Sequence, residues 1–424
     1  MIIALIGSGG RENALAYSLS KSNSLEKLYI LPGNPGTLKY GENINITKNS
    51  EIVKFCTESN VNLVVIGPEK PLVEGLADDL RALGISVFGP SKSAAELEGD
   101  KSFSKKIMKK YNIPTAAFEV FTKEQADVAR KYLREHDYPV VIKAAGLAAG
   151  KGVAICNNFD EANIYLDELF NLGIFGEAGN TVVIEEFMEG EEASIFAITD
   201  GKDFFVLPSA QDHKRVFDYD KGKNTGGMGA YAPAPIVTAN LLSKIKTQII
   251  YPTLEAMNSE NRQFIGCLYC GLMIKDEEVK VVEYNCRFGD PETQAVLPLI
   301  EGDFAKLLYS CATGNIDKEC VSYNGGNSIC VVLASGGYPD KFNNGYEIKG
   351  LEQINNKNCL VFHSGTALEK DKLVTAGGRV LNITIFNKLE DLRYCKKECY
   401  SEINKVKYAY MHYRIDIGDK GIKN

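Results

Sequence analysis

Three observations predict an α/β protein of several domains. The chain is long, its apolar first strand runs through glycines into a helix, and a strand near residue 283 is apolar on one face and polar on the other. At 424 residues there is room for about three domains of ordinary size, each with its own core. The pattern reads as an N-terminal doubly wound parallel-sheet domain, a larger mixed sheet carrying a small inserted module, and a C-terminal mixed α/β domain.

Ile2 to Ile6 is an apolar strand, Gly7-Ser8-Gly9-Gly10 a tight turn, and Arg11 to Ser20 a helix with Leu15 and Leu19 on one face. This is the first unit of a doubly wound sheet, and the start of its helix is a natural phosphate seat. The glycines match a dinucleotide fingerprint poorly, and no acidic ribose ligand follows the second strand, Lys27 to Leu31. A mononucleotide or sugar phosphate is expected there ahead of NAD. The loops at 32–37 and 67–72 also follow strands, so each is either a ligand loop at the sheet's carboxyl edge or an ordinary turn.

Asp100 to Asn112 reads as a helix rich in lysine, mostly a solvated face, and it ends at Pro114. A compact module follows from about 115 to 190, with a helix at Lys123 to Glu135 and the strand Pro139 to Lys143. The next loop, Ala144 to Val153, is small and glycine-rich with Lys151 in it, and a strand comes after. Such a loop either covers a polyphosphate or is a flexible hairpin. The strand Thr181 to Met188 then leads to Glu192, which is either a ribose ligand or part of an acidic turn. Residues 209–231 read as a long polar loop, a feature that is usually functional or disordered. The last hundred residues carry strands at Ser328 to Ala334, Leu360 to His363 and Arg379 to Ile385. A helix from Lys388 to Val406 follows, striped by Leu389, Leu392, Cys395, Cys399, Ile403 and Val406.

In the strand Lys280 to Arg287, alternation places Glu283, Asn285 and Arg287 on one face and Val282, Tyr284 and Cys286 on the other. A carboxylate and an amide oxygen two residues apart suit Mg²⁺ shared with nucleotide phosphates, and an arginine beside them suits an anion. The same residues would also serve as the solvated face of an edge strand. The turn that follows, Phe288-Gly289-Asp290-Pro291-Glu292, adds two carboxylates.

The formal net charge of −7, with acids and bases interspersed, gives no electrostatic support to a nucleic-acid or membrane-surface role. No apolar run is long enough to span a bilayer. Eleven cysteines without a secretory signal point to a reducing cytoplasm. Cys267 and Cys270 lie three apart on a strand and face opposite sides, so they are expected in the core and not on a metal.

The order of these motifs resembles the phosphoribosylamine glycine ligases, or glycinamide ribonucleotide synthetases, of the ATP-grasp superfamily. The resemblance rests on residues 9–15, 32–37, 67–72, 143–153, 185–194, 208–215, 224–231 and 282–294, and so covers nearly the whole chain. It implies a sugar-phosphate-binding domain at 1–100, an ATP-grasp domain at 101–325 with a lid at about 115–190, and a C-terminal domain at 326–424. It further implies an ATP-dependent ligation of glycine to 5-phosphoribosylamine in purine biosynthesis through a glycyl phosphate, by a cytoplasmic monomer using ATP and Mg²⁺ or Mn²⁺. Lys105 and Lys143 would contact the nucleotide phosphates, with Gly150, Lys151 and Gly152 in the covering loop. Glu185 and Phe187 would form the adenine hinge, Glu192 would hold the ribose, and Glu283 and Asn285 the metal. Gly9, Gly10, Arg11, Asn13, Asn34, Pro35, Gly36, Glu69 and Lys214 would bind substrate. Arg287 would neutralise charge on the transferring phosphoryl group, and Asp212 or Asp290 would accept the amine's proton.

Asn13, Ala145 and Lys223 stand where the family usually has histidine, aspartate and proline. The competing readings are another carboxylate-amine ligase or carboxylase of the same superfamily and a nucleotide-binding regulator without turnover. The first would differ in the loops at 32–37, 67–72 and 209–231. The intact Lys143, Glu283, Asn285 and Arg287 weigh against the second.

Overall fold

In a computed structural model of the protein, which describes residues 1–148 and 152–423, the strand Ile2–Gly7 lies at the centre of a five-stranded sheet. Its order is Glu42–Asn43, Lys27–Pro32, Ile2–Gly7, Leu63–Ile66, Ser86–Phe88, and every pairing is parallel. Ile3 and Leu5 enter one core while Ala4 and Ile6 enter another. Both faces are therefore covered, which is why the strand is apolar without alternation.

The segment from Phe118 to Glu186 forms a module with its own core, a four-stranded antiparallel sheet under the helices Ala126–Arg134 and Phe159–Phe170. The central sheet runs Phe204–Val206, Glu191–Thr199, Gly266–Lys275, Glu278–Asn285. Cys267 and Cys270 pack into separate cores on its two sides. The C-terminal sheet is built on Asn327–Ser335 and Arg379–Asn387, and it also takes in Gln211–Asp212 and Gly229–Ala232 from far upstream.

Three expectations change. Residues 209–231 are mostly strand: two short strands join the C-terminal sheet, and Arg215–Phe217 pairs with Lys221–Asn224 as a hairpin between them. The last long helix is Leu392–Ile403, because the Asp391 side chain caps it at Tyr394. Leu389 consequently falls outside the helix and is 92% exposed.

The third change is a β-bulge in Glu278–Asn285. Glu283 pairs with Gly271 and Val281 with Leu272, so Val282 is an extra residue. Val279 and Val281 thereby join Tyr284 and Cys286 in the core, and Val282 does not. Strict alternation would have put Val281 on the face of Glu283. The bulge predicts that Val281→Ala costs about 2 kcal/mol, two buried methyl groups plus a cavity, and Val282→Ala less than about 1 kcal/mol. Unfolding curves of the two variants read this ranking, and the reverse order would mean a regular strand.

Candidate active site

The helix Lys101–Lys110 is amphipathic, and Lys105 lies on its buried side while Lys106, Lys109 and Lys110 face solvent. Lys143 lies on the strand Val140–Ala144, next to Ile142, which enters the module's core. Alternation turns the lysine the other way, toward the central sheet. Both ammoniums meet the same oxygen of Glu185, each at 3.0 Å, and the other Glu185 oxygen is buried without a partner. Lys105 also donates to Thr115 Oγ1 at 2.7 Å, which donates to the Val281 carbonyl at 2.7 Å. Lys143 donates to the carbonyl of the bulged Val282 at 3.3 Å. The bulge thus aims a backbone acceptor across the gap between module and central sheet. Burial, with Lys143 adding to it, pushes the Lys105 ammonium down to about 8 against the pull of Glu185.

Glu185 was expected at an adenine hinge, but its side chain is turned inward to the lysines. Phe187 lies just beyond the strand Thr181–Glu186 and is 39% exposed. Gly150 and Lys151 lie outside the described residues. Gly152 packs at the loop's base, where a Cβ would sit 2.6 Å from that of Ala148.

Glu283 and Asn285 follow the bulge on the face opposite the buried Tyr284. Burial pushes the Glu283 carboxyl up, but Lys214, Lys101, Lys143 and Arg287 outweigh it and hold it below its ordinary range. One ionised carboxylate and one amide oxygen fit a hard divalent cation that completes its shell elsewhere. Among the described residues no group of three or more His, Cys, Asp or Glu could hold a metal unaided, so phosphate oxygens and water would supply the rest.

Beside this face the Lys214 ammonium contacts Glu192. Burial alone would lower Lys214, yet Glu192, Asp212, Tyr269 and Glu283 hold it well above its usual range. Burial pushes the Asp212 carboxyl up, to about 7; Lys214 opposes this, and Glu292 and Glu192 add to it. Asp290, the other candidate proton acceptor, is held at both oxygens. Arg379 contacts one at 3.0 Å and Gln294 donates to the other at 2.7 Å.

Arg287 leaves the strand into a cage of acceptors. Its guanidinium lies 3.0 Å from Glu98 and 3.3 Å from Glu69, and donates to the Phe288 carbonyl at 3.2 Å. The Glu69 approach is a charge contact; the Arg287 Nε–H makes no hydrogen bond. Burial would raise Glu69, but Arg287 and Arg11 hold it below its ordinary range.

The proposed sugar-phosphate loops differ most from expectation. The Gly9 amide donates to Glu12 at 2.6 Å, so the helix start already carries a carboxylate. A Cβ at Gly10 would fall 2.5 Å from Asn382 and Ser364 and 2.7 Å from Gln294, so this glycine serves close packing against the C-terminal domain. Arg11 is turned to Glu12 at 2.6 Å and the Phe288 carbonyl at 3.1 Å. Asn34 uses its whole side chain on backbone groups of Ser8, His363, Gly36 and Thr37. Asn13 accepts from the His363 amide at 2.6 Å, and its Nδ2 is buried without a partner. Pro35 and Gly36 are half-buried. Of these, Glu69 is the one brought against Arg287; Asn34 and Gly10 shape the loops.

Three residues that the motifs did not single out join the site. Glu98 holds Arg287, Thr115 holds Lys105, and Arg379 donates to both the Gly226 and Asp290 carbonyls at 2.7 and 2.8 Å. Lys223 makes two bonds to Asp340 at 2.8 and 2.9 Å, tying the hairpin to the C-terminal domain. Ala145 uses its backbone, accepting from Lys101 at 2.8 Å and donating to Thr181 at 2.9 Å.

Comparison with known proteins shows the family. Family models described as the N, ATP-grasp (A) and C domains of phosphoribosylglycinamide synthetase match residues 1–98, 99–293 and 328–420. A Synechocystis protein named phosphoribosylamine-glycine ligase is 45% identical over 428 residues, 100% of each chain. One of the same name from Agrobacterium fabrum is 44% identical over 424 residues, 100% of this chain and 99% of that one. The crystal structure of phosphoribosylamine-glycine ligase from Thermotoga maritima superposes with a TM-score of 0.86 at 35% identity, covering 98% of this chain and 100% of that one. A biotin carboxylase from Campylobacter jejuni, at 15% identity and a TM-score of 0.75 over 97% and 92% of the two chains, shares the fold. With all three domain models matching in order over most of its length, the chain belongs to the phosphoribosylglycinamide synthetase family.

Proposed function

We propose that this protein joins glycine to 5-phosphoribosylamine by way of a glycyl phosphate, and that the residues above divide the work. Family membership along the whole chain makes it an ATP-dependent carbon-nitrogen ligase of purine biosynthesis; the other carboxylate-amine ligases and carboxylases are not favoured. The observation that carries the residue assignment is the single Glu185 oxygen shared by Lys105 and Lys143 beside the strand bearing Glu283 and Asn285.

In this reading Lys105 and Lys143 bind the phosphates of ATP, under the loop that includes Gly150, Lys151 and Gly152. Backbone near Phe187 meets the adenine edge, and Glu192 takes the ribose once Lys214 leaves it for substrate. Glu283 and Asn285 hold Mg²⁺ or Mn²⁺, which when bound withdraws charge from the triphosphate. The sugar phosphate lies along Pro35, Gly36 and Glu69, on loops shaped by Gly9, Gly10, Asn13 and Asn34, with Arg11 steadying Glu69. The protein acts on these small molecules as a cytoplasmic monomer, and no helix among the described residues is long and apolar enough to cross a membrane.

A carboxylate resists attack by an amine because its charge is delocalised and oxide is a very poor leaving group. In the first step a glycine carboxylate oxygen bonds to the terminal phosphorus of ATP and the bond to ADP breaks. Arg287 stabilises the negative charge on the phosphoryl oxygens, help worth roughly 3–4 kcal/mol. In the second step the amine attacks the acyl carbon, phosphate leaves, and the amine proton passes to a base. Asp212 suits that part, since a carboxyl near neutrality matches the operating pH, while Asp290 is engaged by Arg379 and Gln294.

Two measurements test this. Glycine carrying ¹⁸O in its carboxylate should deliver one labelled oxygen to the released phosphate; unlabelled phosphate with fully labelled product would exclude the acyl phosphate. The pH profile of kcat/KM should rise through about 7 as Asp212 loses its proton in the free protein. Asp212→Asn should lose that limb and at least about a hundredfold in rate, whereas Asp290→Asn keeps the limb. An unchanged limb in Asp212→Asn would remove Asp212 as the base.

A further inference from the structure

Glu98 lies at the end of the helix Lys92–Gly99, in a stretch, Ala94-Ala95-Glu96-Leu97-Glu98, that reads as an ordinary amphipathic helix. Its neighbour Glu96 is on the surface, paired with Arg262 at 2.7 Å. Glu98 is only 7% exposed, and its two oxygens do different things. One accepts from the Cys286 backbone amide at 2.8 Å and from the Cys286 thiol at 3.0 Å. The other meets the Arg287 guanidinium at 3.0 Å. A single carboxylate therefore grips three groups on two consecutive residues, at the point where the strand carrying Glu283 and Asn285 ends.

The helix that carries Glu98 is itself fixed. Ser91 caps its start by accepting from the Ala94 amide at 3.2 Å, and Arg262 donates to the Ser93 carbonyl at 2.6 Å. Burial and the Glu98 carboxylate push the Cys286 thiol well up, so it stays protonated and available as a donor. Arg287 has no comparable anchor elsewhere among the described residues. Its approach to Glu69 is longer, 3.3 Å against 3.0 Å, and meets a carboxylate that is 33% exposed where that of Glu98 is 7% exposed, and its bond to the Phe288 carbonyl is local at 3.2 Å.

We propose that Glu98 is a positioning residue for the ligation, holding the Arg287 guanidinium and the strand end at Cys286 where the phosphoryl group transfers. The inference rests on the reading of Arg287 given above. Glu98 sets the direction of the guanidinium, and Glu69, more exposed and at the start of the short helix Glu69–Glu74, is the partner that gives way when an anion arrives. Misplacing a charge donor by an ångström can cost about a hundredfold in rate, so the anchor is expected to matter although it touches no substrate.

A double-mutant cycle tests this on the full chain. Glu98→Gln keeps the shape and removes the charge. It should slow glycine-dependent ADP formation by at least about tenfold and leave the KM for ATP within about twofold. In an Arg287→Ala background the same change should cost less than about twofold, because the group it positions is gone. Equal slowing in both backgrounds, or wild-type rate in Glu98→Gln alone, would overturn the proposal. Wild-type rate in Arg287→Ala would overturn the Arg287 assignment and this inference with it, so the two failures are distinguishable. Should Glu98→Gln not fold, Glu98→Asp, which keeps the charge at shorter reach, reads the same cycle by the same criteria.

Discussion

Two buried ammoniums share one buried carboxylate oxygen, and the rest of the site is arranged around that imbalance. The side chains of Lys105, Lys143 and Glu185 are 3%, 6% and 1% exposed, so water does little to compensate them. Within this triad two positive charges face one negative, with Glu186 and Glu283 acting on them from outside it. An uncompensated charge in such a place costs several kcal/mol. The protein relieves part of that cost with dipoles, Thr115 on Lys105 and the Val282 carbonyl on Lys143, and part by lowering the affinity of Lys105 for its proton. A polyanion would relieve the rest, which is the physical argument for the triphosphate seat proposed here.

The three lobes of the chain are held to that centre by charges and amides more than by apolar contact at the site itself. Glu98 and Glu69 fix Arg287 from the N-terminal domain. Arg379 reaches from the C-terminal sheet to Gly226 and Asp290, and Asn382 and Ser364 close on Gly10. The inserted module keeps a core of its own. It meets the central sheet through polar contacts such as Lys143 to the Val282 carbonyl and Glu186 to Lys280, and the helix Lys101–Lys110 through the Ala145 carbonyl, a seam that suits an element able to open and close over a nucleotide.

Much of this was legible in the sequence where the signal is local. The strand carrying Lys143, the opening strand-glycine-helix unit and the E-x-N-x-R row need only periodicity of two or of 3.6. The bulge was not legible, because it is a mismatch with Gly271 and Leu272 on a partner strand. Glu98 and Arg379 were missed for a similar reason: Glu98 meets Cys286 across 188 residues and Arg379 meets Asp290 across 89, and neither stands in a distinctive pattern. Asn34 and Gly10 were legible as important positions but not as to kind. An asparagine in a glycine loop reads equally as a ligand and as an Asx turn, and here its Oδ1 serves the turn while its Nδ2 ties the loop to the Ser8 and His363 carbonyls.

The imbalance within the triad makes a direct demand on protons. With Lys105 held near 8, the free protein at pH 8 has lost part of that ammonium's proton, and a bound triphosphate should draw it back. Calorimetry of ATP binding at pH 8, in two buffers of different ionisation enthalpy, should show net uptake of about half a proton, with affinity falling as the pH rises through 8. Uptake should vanish in Lys105→Met. No uptake at pH 8, or the same uptake in Lys105→Met, would contradict the account.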